Sequence, residues 1–259
     1  FYNSMSAVEQ QHMVEGFHFE LGKVEHMHVR KRMVDHLAKI NSALAEKVAK
    51  GIGVDAPAGT ELYTISEAAK GRKRAETSPA LRTIERKENV STIKGKKVAI
   101  LLEDGFDGAA VSALKTAIEK EGALCEVVSK NQGKRKSASG DDVKTDKNHM
   151  TTASVLYDAV FIPGGKESVE KMMKMGDVLY FIREMYKHCK PIGAVGEATK
   201  LVEACQLPEL MVFDQPAVDK GVVTSLNGSK ADEVVKLFKK ALIQARFWER
   251  EKVKDMIPA

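Results

Sequence analysis

Three short stretches of this sequence carry residue types that could do chemistry. The first is Gly193-Ala194-Val195-Gly196-Glu197-Ala198. Small residues that close a strand and open a helix make a tight elbow, the geometry that lifts a nucleophile into view in hydrolases. The apex of such an elbow needs Ser or Cys. Gly196 stands there and has no side chain to attack with. Glu197 could act as a general base, but a base with no nucleophile or metal beside it makes a poor enzyme. The second stretch is Ile162-Pro163-Gly164-Gly165. Paired glycines after a strand let the backbone approach closely and offer free N–H groups, as an oxyanion hole requires. A plain turn accounts for them equally well. The third is Glu103-Asp104-Gly105-Phe106-Asp107-Gly108-Ala109-Ala110. It precedes a helix, so a phosphate could sit there. Its three carboxylates would repel one, and its glycine spacing falls short of a nucleotide fingerprint. A strand-to-helix turn is the simpler reading.

Other reactive types are scattered. Five of the seven histidines (12, 18, 26, 28 and 36) lie in the first 36 residues, without the spacing of a metal-binding helix. The cysteines, Cys125, Cys189 and Cys205, are odd in number and form no CxxC pair, so neither a disulfide framework nor a zinc module is expected. Cys189 and Cys205 fall at helix ends and read as core residues. This cysteine use fits a reducing, cytoplasmic compartment, and is compatible with a secreted protein as well.

The elements that must position these stretches fall into three segments. Residues 1–54 read as three short helices. Ser6 and Glu9 have capping-box spacing, and Val8, His12, Val14, Phe17, Phe19 and Leu21 follow on a broad apolar side. A second helix over 26–40 repeats Val29, Met33, Leu37 and Ile40. A third, from 42 to about 50, groups Leu44, Ala45 and Val48 and stops at Gly51 and Gly53. Helices this short are marginal alone and are expected to need a partner surface. Residues 55–94 show weak apolar periodicity and read as a long linker. Residues 95–259 alternate: strands near 97–102, 123–128, 159–163, 191–195 and 222–225, with helices over 108–121, 169–188, 198–205 and 231–254. A polar stretch, 130–147, has no apolar run. This rhythm predicts an α/β fold, a flavodoxin-like sandwich with a mostly parallel sheet covered on both faces.

Composition narrows the function classes. At 43% hydrophobic residues the 259-residue chain is not disordered, and no apolar run is long enough for a spanning helix, so no membrane partner is expected. The net charge is +5. The basic excess is local: residues 70–97 hold ten Lys and Arg against Glu76, Glu85 and Glu88. No aromatic side chain is interleaved there to stack on bases, so a solvated linker is favoured over nucleic-acid binding. The chain opens on Phe1 in the middle of a helical pattern, as the end of a longer chain would.

Two resemblances bear on the whole. Residues 1–54, from Phe1-Tyr2-Asn3-Ser4-Met5-Ser6 through Phe17-His18-Phe19-Glu20-Leu21-Gly22 to Ala49-Lys50-Gly51-Ile52-Gly53-Val54, resemble the late helical region of haem catalases. Residues 95–259 resemble the PfpI-type branch of the class I glutamine amidotransferase-like superfamily. Their anchors are Tyr157-Asp158-Ala159-Val160-Phe161-Ile162-Pro163-Gly164-Gly165, Lys190-Pro191-Ile192-Gly193-Ala194-Val195 and Val223-Thr224-Ser225. The two joined resemble the C-terminal portion of large-subunit catalases. Active PfpI-type relatives carry Cys and usually His where Gly196 and Glu197 stand, and a carboxylate near Ala110. The resemblance therefore implies a degenerate pocket of Gly196, Glu197, Ala110, Gly164 and Gly165, with no catalytic residue. It implies haem and peroxide decomposition in a homotetrameric parent, with the haem-ligating tyrosine before Phe1 and no cofactor on this chain. It also implies a role in stabilising the parent, and a chaperone (holdase) role toward unfolded clients. The competing expectations are a residual hydrolase or glyoxalase using Glu197 or Cys189, and a nucleotide- or flavin-binding module.

Overall fold

A computed structural model describes residues 1–60 and 92–258, which belong to two compact units, Phe1–Lys87 and Glu88–Ala259. The linker reading over 55–94 lies, apart from its ends, outside the described residues. No helix among them is long and apolar enough to cross a membrane.

The first unit holds α1 (Ala7–Gly22), α2 (Met27–Ala38) and α3 (Ser42–Ile52). Ser6 caps α1 and Glu9 reaches back to the Ser6 amide, completing the capping box. Asn41 caps α3, which ends at Gly53 in the left-handed conformation. The helices share a small core of their own, built on Val14, Leu21, Val34, Leu37, Leu44, Val48 and Ile52. Two expected faces are corrected. Phe19 stands exposed, and α2 buries Val34, Leu37 and Ala38 while Val29, Met33 and Ile40 face outward. The cause is Arg30. Its guanidinium donates to the carbonyls of Val24 (2.7 Å), Ile52 (3.0 Å) and Gly22 (3.1 Å). Holding Arg30 against those helix ends rotates the packed stripe to 30, 34, 37 and 38.

The second unit is built on β1 (Lys97–Leu101), α4 (Gly108–Glu119), β2 (Leu124–Ser129), β3 (Gly133–Lys136), β4 (Asp142–Thr145), β5 (Lys147–Asn148), β6 (Ala159–Ile162), α5 (Lys166–Met172), α6 (Gly176–Lys187), β7 (Ile192–Val195), α7 (Thr199–Ala204), β8 (Ala217–Asp219), β9 (Val222–Ser225) and α8 (Ala231–Gln244). Seven strands form one sheet in the order β5-β2-β1-β6-β7-β9-β8. All its pairings are parallel except that of the short edge strand β8. The central strands β6, β7 and β9 are buried at every residue, as a sheet covered on both faces demands. One core, with Leu101, Val160 and Ile162, lies under α5, α6 and α7. The other, with Ile100, Phe161 and Val223, lies under α4 and α8. Burying each such aliphatic side chain contributes roughly 1.5–3 kcal/mol, so stability resides in these two layers rather than in the loops. This is the expected α/β, flavodoxin-like sandwich.

Three segment readings change. The expected helix over 169–188 is two helices, α5 and α6, separated by extended backbone at Met175. One straight helix of that span would run about 30 Å, more than twice the roughly 13 Å of a four-residue strand beneath it. The final helix stops at Gln244, not near 254. The Lys96 ammonium takes the last carbonyls of α8, those of Leu242 and Ile243, and Ala245 turns the chain at φ +70°. A 3-10 stretch, Trp248–Met256, follows and is anchored by buried Arg250, whose Nη2 donates to the Lys190 carbonyl (2.7 Å). The polar stretch 130–147 contains the β3–β4 hairpin and β5. The hairpin is docked through backbone hydrogen bonds to the loop after β1, so its sequence needs no apolar run.

Candidate functional site

In this strand order β1 is flanked by β2 on one side and β6 on the other. The switch point, where ligands bind in open parallel sheets, therefore lies beyond the carboxyl ends of β1 and β6. The structure brings all three chemistry-bearing stretches to that end. It also closes the crevice between them. The Asp107 N–H donates to the Gly164 carbonyl (2.9 Å), and the Lys171 ammonium reaches the Asp104 carbonyl (3.4 Å). Gly165 has φ +105°, and a Cβ added there would sit 2.2 Å from the Gly105 carbonyl oxygen. Only glycine fits where the two loops touch.

The elbow after β7 is present in the form the sequence suggests. Gly196 has φ +58° and opens a 3-10 turn, Gly196–Ala198, that feeds α7. The Thr199 hydroxyl donates to the Gly196 carbonyl (2.8 Å) and fixes the bend. A Cβ at Gly196 would lie 3.3 Å from Gly228 Cα, so the apex is nearly filled by backbone. Glu197 is exposed, and its Oε2 accepts from the Gly165 N–H (3.3 Å). One of the two N–H groups that a Gly-Gly oxyanion hole would offer, that of Gly165, is thus engaged by a carboxylate. Gly164 is buried, and an added Cβ would lie 3.0 Å from the Val195 carbonyl oxygen. Ala110 is fully buried in the core under α4. Its amide is taken by the Asp107 carboxylate, which caps the helix (3.1 Å). The carboxylate of that turn, Asp107, is turned back onto the helix amide.

The alternative nucleophile falls elsewhere. Cys189 precedes β7 and so lies at the opposite end of the sheet from Gly196. It is fully buried, and burial pushes its thiol up to about 11. A protonated, enclosed thiol is a core residue, not a nucleophile. Cys205 is equally buried and is pushed up to about 12 by the same cause.

Sequence reasoning missed a buried polar cluster at the ends of β1 and β2. Glu103 accepts from the Ser129 hydroxyl (2.8 Å) and the Lys130 N–H (2.6 Å), and Arg135 pairs with it at 3.3 Å. The Glu103 amide donates to the Ser168 hydroxyl (2.8 Å). Beyond β5, His149 is buried with neither ring nitrogen hydrogen-bonded among the described residues. Burial holds its imidazole below the ordinary range, while Glu103 and Asp177 pull the other way. The lone Arg135 in a polar stretch was the only signal for this cluster. Both oxygens of Glu103 thus face partners within the fold: Oε1 the Ser129 hydroxyl and Lys130 N–H, Oε2 the Arg135 guanidinium. Among the described residues no group of three His, Cys, Asp or Glu side chains could hold a metal ion. A groove of about 680 Å³ lies between α4 and the β3–β4 hairpin, lined by Phe106, Val111, Lys115 and Val143, away from the elbow.

The comparisons with known proteins all point to catalases. Residues 1–52 match a family described as catalase-related immune-responsive. Catalase-1 of Neurospora crassa is 36% identical over 97% of this chain and 35% of its own length. Catalase-2 of Bacillus subtilis is 34% identical over 96% of this chain and 33% of its own. Catalase HPII of Mycobacterium avium is 34% identical over the whole chain and 35% of its own length. The chain spans about a third of the length of these relatives. Residues 94–252, more than half of the chain, match the C-terminal domain found in long catalases, and the chain belongs to that family.

Proposed function

We propose that this chain is a non-catalytic module of a large-subunit catalase, serving stability rather than chemistry. The observation that carries this reading is the state of the switch point. Gly196, at φ +58°, occupies the apex of the elbow, and Glu197 occupies the N–H of Gly165. In this reading the apex lacks the Ser or Cys that such an elbow would present. The covered sheet, with two apolar layers, offers stability that a longer subunit could draw on.

Peroxide decomposition on haem belongs, in this reading, to the two-thirds of the relatives that this chain does not span. That reading draws on the first unit, the part similar to the helical region of catalases. Tyr2 is buried in the three-helix core with its ring committed to packing, and the histidines of that unit lie on its outside or in helix contacts. The test is a full-length homologous catalase with and without the region equivalent to residues 95–259. The truncated subunit should lose thermal stability while keeping its turnover per haem. An unchanged melting temperature would contradict the stabilising role.

A second reading, as a holdase, draws on one observation. Phe19, Val29, Met33 and Ile40 of the first unit face outward, and exposed apolar surface is the physical requirement for holding unfolded chains. Suppression of thermal aggregation of a client by this chain, lost when those side chains become polar, would support it. No suppression would remove it.

A further inference from the structure

The groove between α4 and the β3–β4 hairpin, about 680 Å³ in volume, has the size of a small-molecule site. Its shape follows from how the hairpin is held. The Gly105 N–H donates to the Lys136 carbonyl (2.8 Å), the Lys136 N–H to the Asp104 carboxylate (2.8 Å) and the Ala138 N–H to the Phe106 carbonyl (2.9 Å). These bonds fix the hairpin turn against the start of α4. A Cβ added to Gly108 would stand 3.1 Å from Ser137 Cβ, so this end of the groove is closed. From there the groove follows one stripe of α4, through Ser112 and Lys115 to Glu119, for about 17 Å. The cleft is therefore preformed, long and narrow. Its floor is apolar: Phe106 and Val111 are buried, and Val143 of β4 is half-buried.

The charges on the rim say what would fill it. Two carboxylates and two ammoniums line the groove, and the carboxylates are engaged. Asp141 lies at the closed end and accepts from the Ser139 hydroxyl (2.8 Å). Glu119 lies beside the Cys125 thiol, which burial and this carboxylate together hold protonated. Lys115 and Lys120 stand toward the open end, and neither ammonium has a hydrogen bond or ion pair among the described residues. Lys115 is half-buried, so salt screens its charge less than that of a lysine in open water. The stems of both lysines extend the apolar wall up to their charged ends. An elongated molecule with an apolar body and one anionic end matches this layout. We propose that the groove binds a medium-chain monocarboxylate, its chain laid on Phe106, Val111 and Val143 and its head held by Lys115 and Lys120. Such a site is separate from the elbow and needs no chemistry there.

Isothermal titration calorimetry of the full chain with octanoate, kept below its micelle concentration, tests this. Saturable one-to-one binding is expected. The head-group charge is isolated by 1-octanol, which should bind about fivefold more weakly, and by octylammonium, which should bind more weakly still. Lys115→Met keeps the apolar stem and removes the charge. It should weaken octanoate about fivefold and leave 1-octanol unchanged, a split that a merely structural role would not produce. Thr116 is an exposed rim residue of α4. Thr116→Trp should obstruct the groove and abolish binding of both ligands, with folding checked by circular dichroism. Lys200→Met, on α7 across the sheet, should change nothing. No saturable heat, 1-octanol binding as tightly as octanoate, or octanoate binding indifferent to Lys115→Met and Thr116→Trp would each overturn the proposal.

Discussion

The Asp107 N–H donates to the Gly164 carbonyl across 2.9 Å, joining the loop after β1 to the loop after β6. In an open parallel sheet these two loops flank the ligand crevice. Here they bond to each other, and the crevice is replaced by a seam. The seam passes Gly165, where the backbone of one loop meets the carbonyl of the other.

Gly165→Ala measures the seam directly. The added methyl would meet the Gly105 carbonyl at 2.2 Å, in a backbone conformation that L residues rarely adopt. Overpacking and strain together should cost about 3 kcal/mol or more. Urea denaturation should show it as a lower midpoint with an unchanged slope. A neutral substitution would mean that the loops do not touch.

Gly196→Cys restores a nucleophile to the elbow. The left-handed backbone costs a non-glycine residue about 1–2 kcal/mol, and the nearest atom, Gly228 Cα at 3.3 Å, leaves just enough room. The variant should fold. Its thiol should react with iodoacetamide no faster than a cysteine in an unstructured peptide, because Ala110 supplies no acid and Glu197 holds the Gly165 N–H. A strongly accelerated alkylation would show a working site awaiting its nucleophile.

His149 makes the fold acid-sensitive. Burial lowers its pKa in the folded state, whereas in the unfolded chain it takes a proton near pH 6.5. Below that pH the unfolded state binds more protons, so stability falls as pH drops from about 6.5 toward the folded-state value and levels off beneath it. His149→Leu removes two buried nitrogens that have no hydrogen-bond partner among the described residues. It should leave stability at pH 7 unchanged or raised, and should flatten the loss that sets in below about pH 6.5. Equal acid sensitivity in both proteins would refute this.

Lys190 acts at the other end of the scale. Burial lowers its ammonium to about 8 from 10.5. Between those values the unfolded chain binds the extra proton, so this group adds stability as pH rises from 8 to 10.5. The buried thiols of Cys189 and Cys205, pushed up to about 11 and 12 from an ordinary value of 9.0, act in the opposite sense above that pH. The comparison with Lys190→Met separates them. The variant should be less stable at pH 7, since three carbonyls lose their donor, at about 1–3 kcal/mol. Its deficit should widen at pH 10. A constant deficit would mean that Lys190 titrates normally.

Much of the fold was legible in the sequence. The runs at β1, β6, β7 and β9 are apolar because both faces of those strands are covered. The Ser6–Glu9 capping box and the stop at Gly53 are local chemistry that sequence carries intact. What escaped depended on tertiary contact. Val29, Met33 and Ile40 have helical spacing, but Arg30 holding three carbonyls decides which side of α2 packs. Lys96, over a hundred residues away, ends α8. The hairpin in the polar stretch exists because the loop after β1 hydrogen-bonds to it. The glycines of the elbow and of the loop after β6 were readable as residues. That Glu197 would fill the Gly165 amide was not, since the contact joins positions 32 residues apart.

The central claim is that this elbow does no chemistry. Turnover of methylglyoxal and of an activated ester by the purified chain, compared with Glu197→Gln, tests it most directly. The closed seam and the glycine apex predict no turnover above a heat-denatured control in either protein. Turnover by the wild-type chain that disappears in Glu197→Gln would contradict the account.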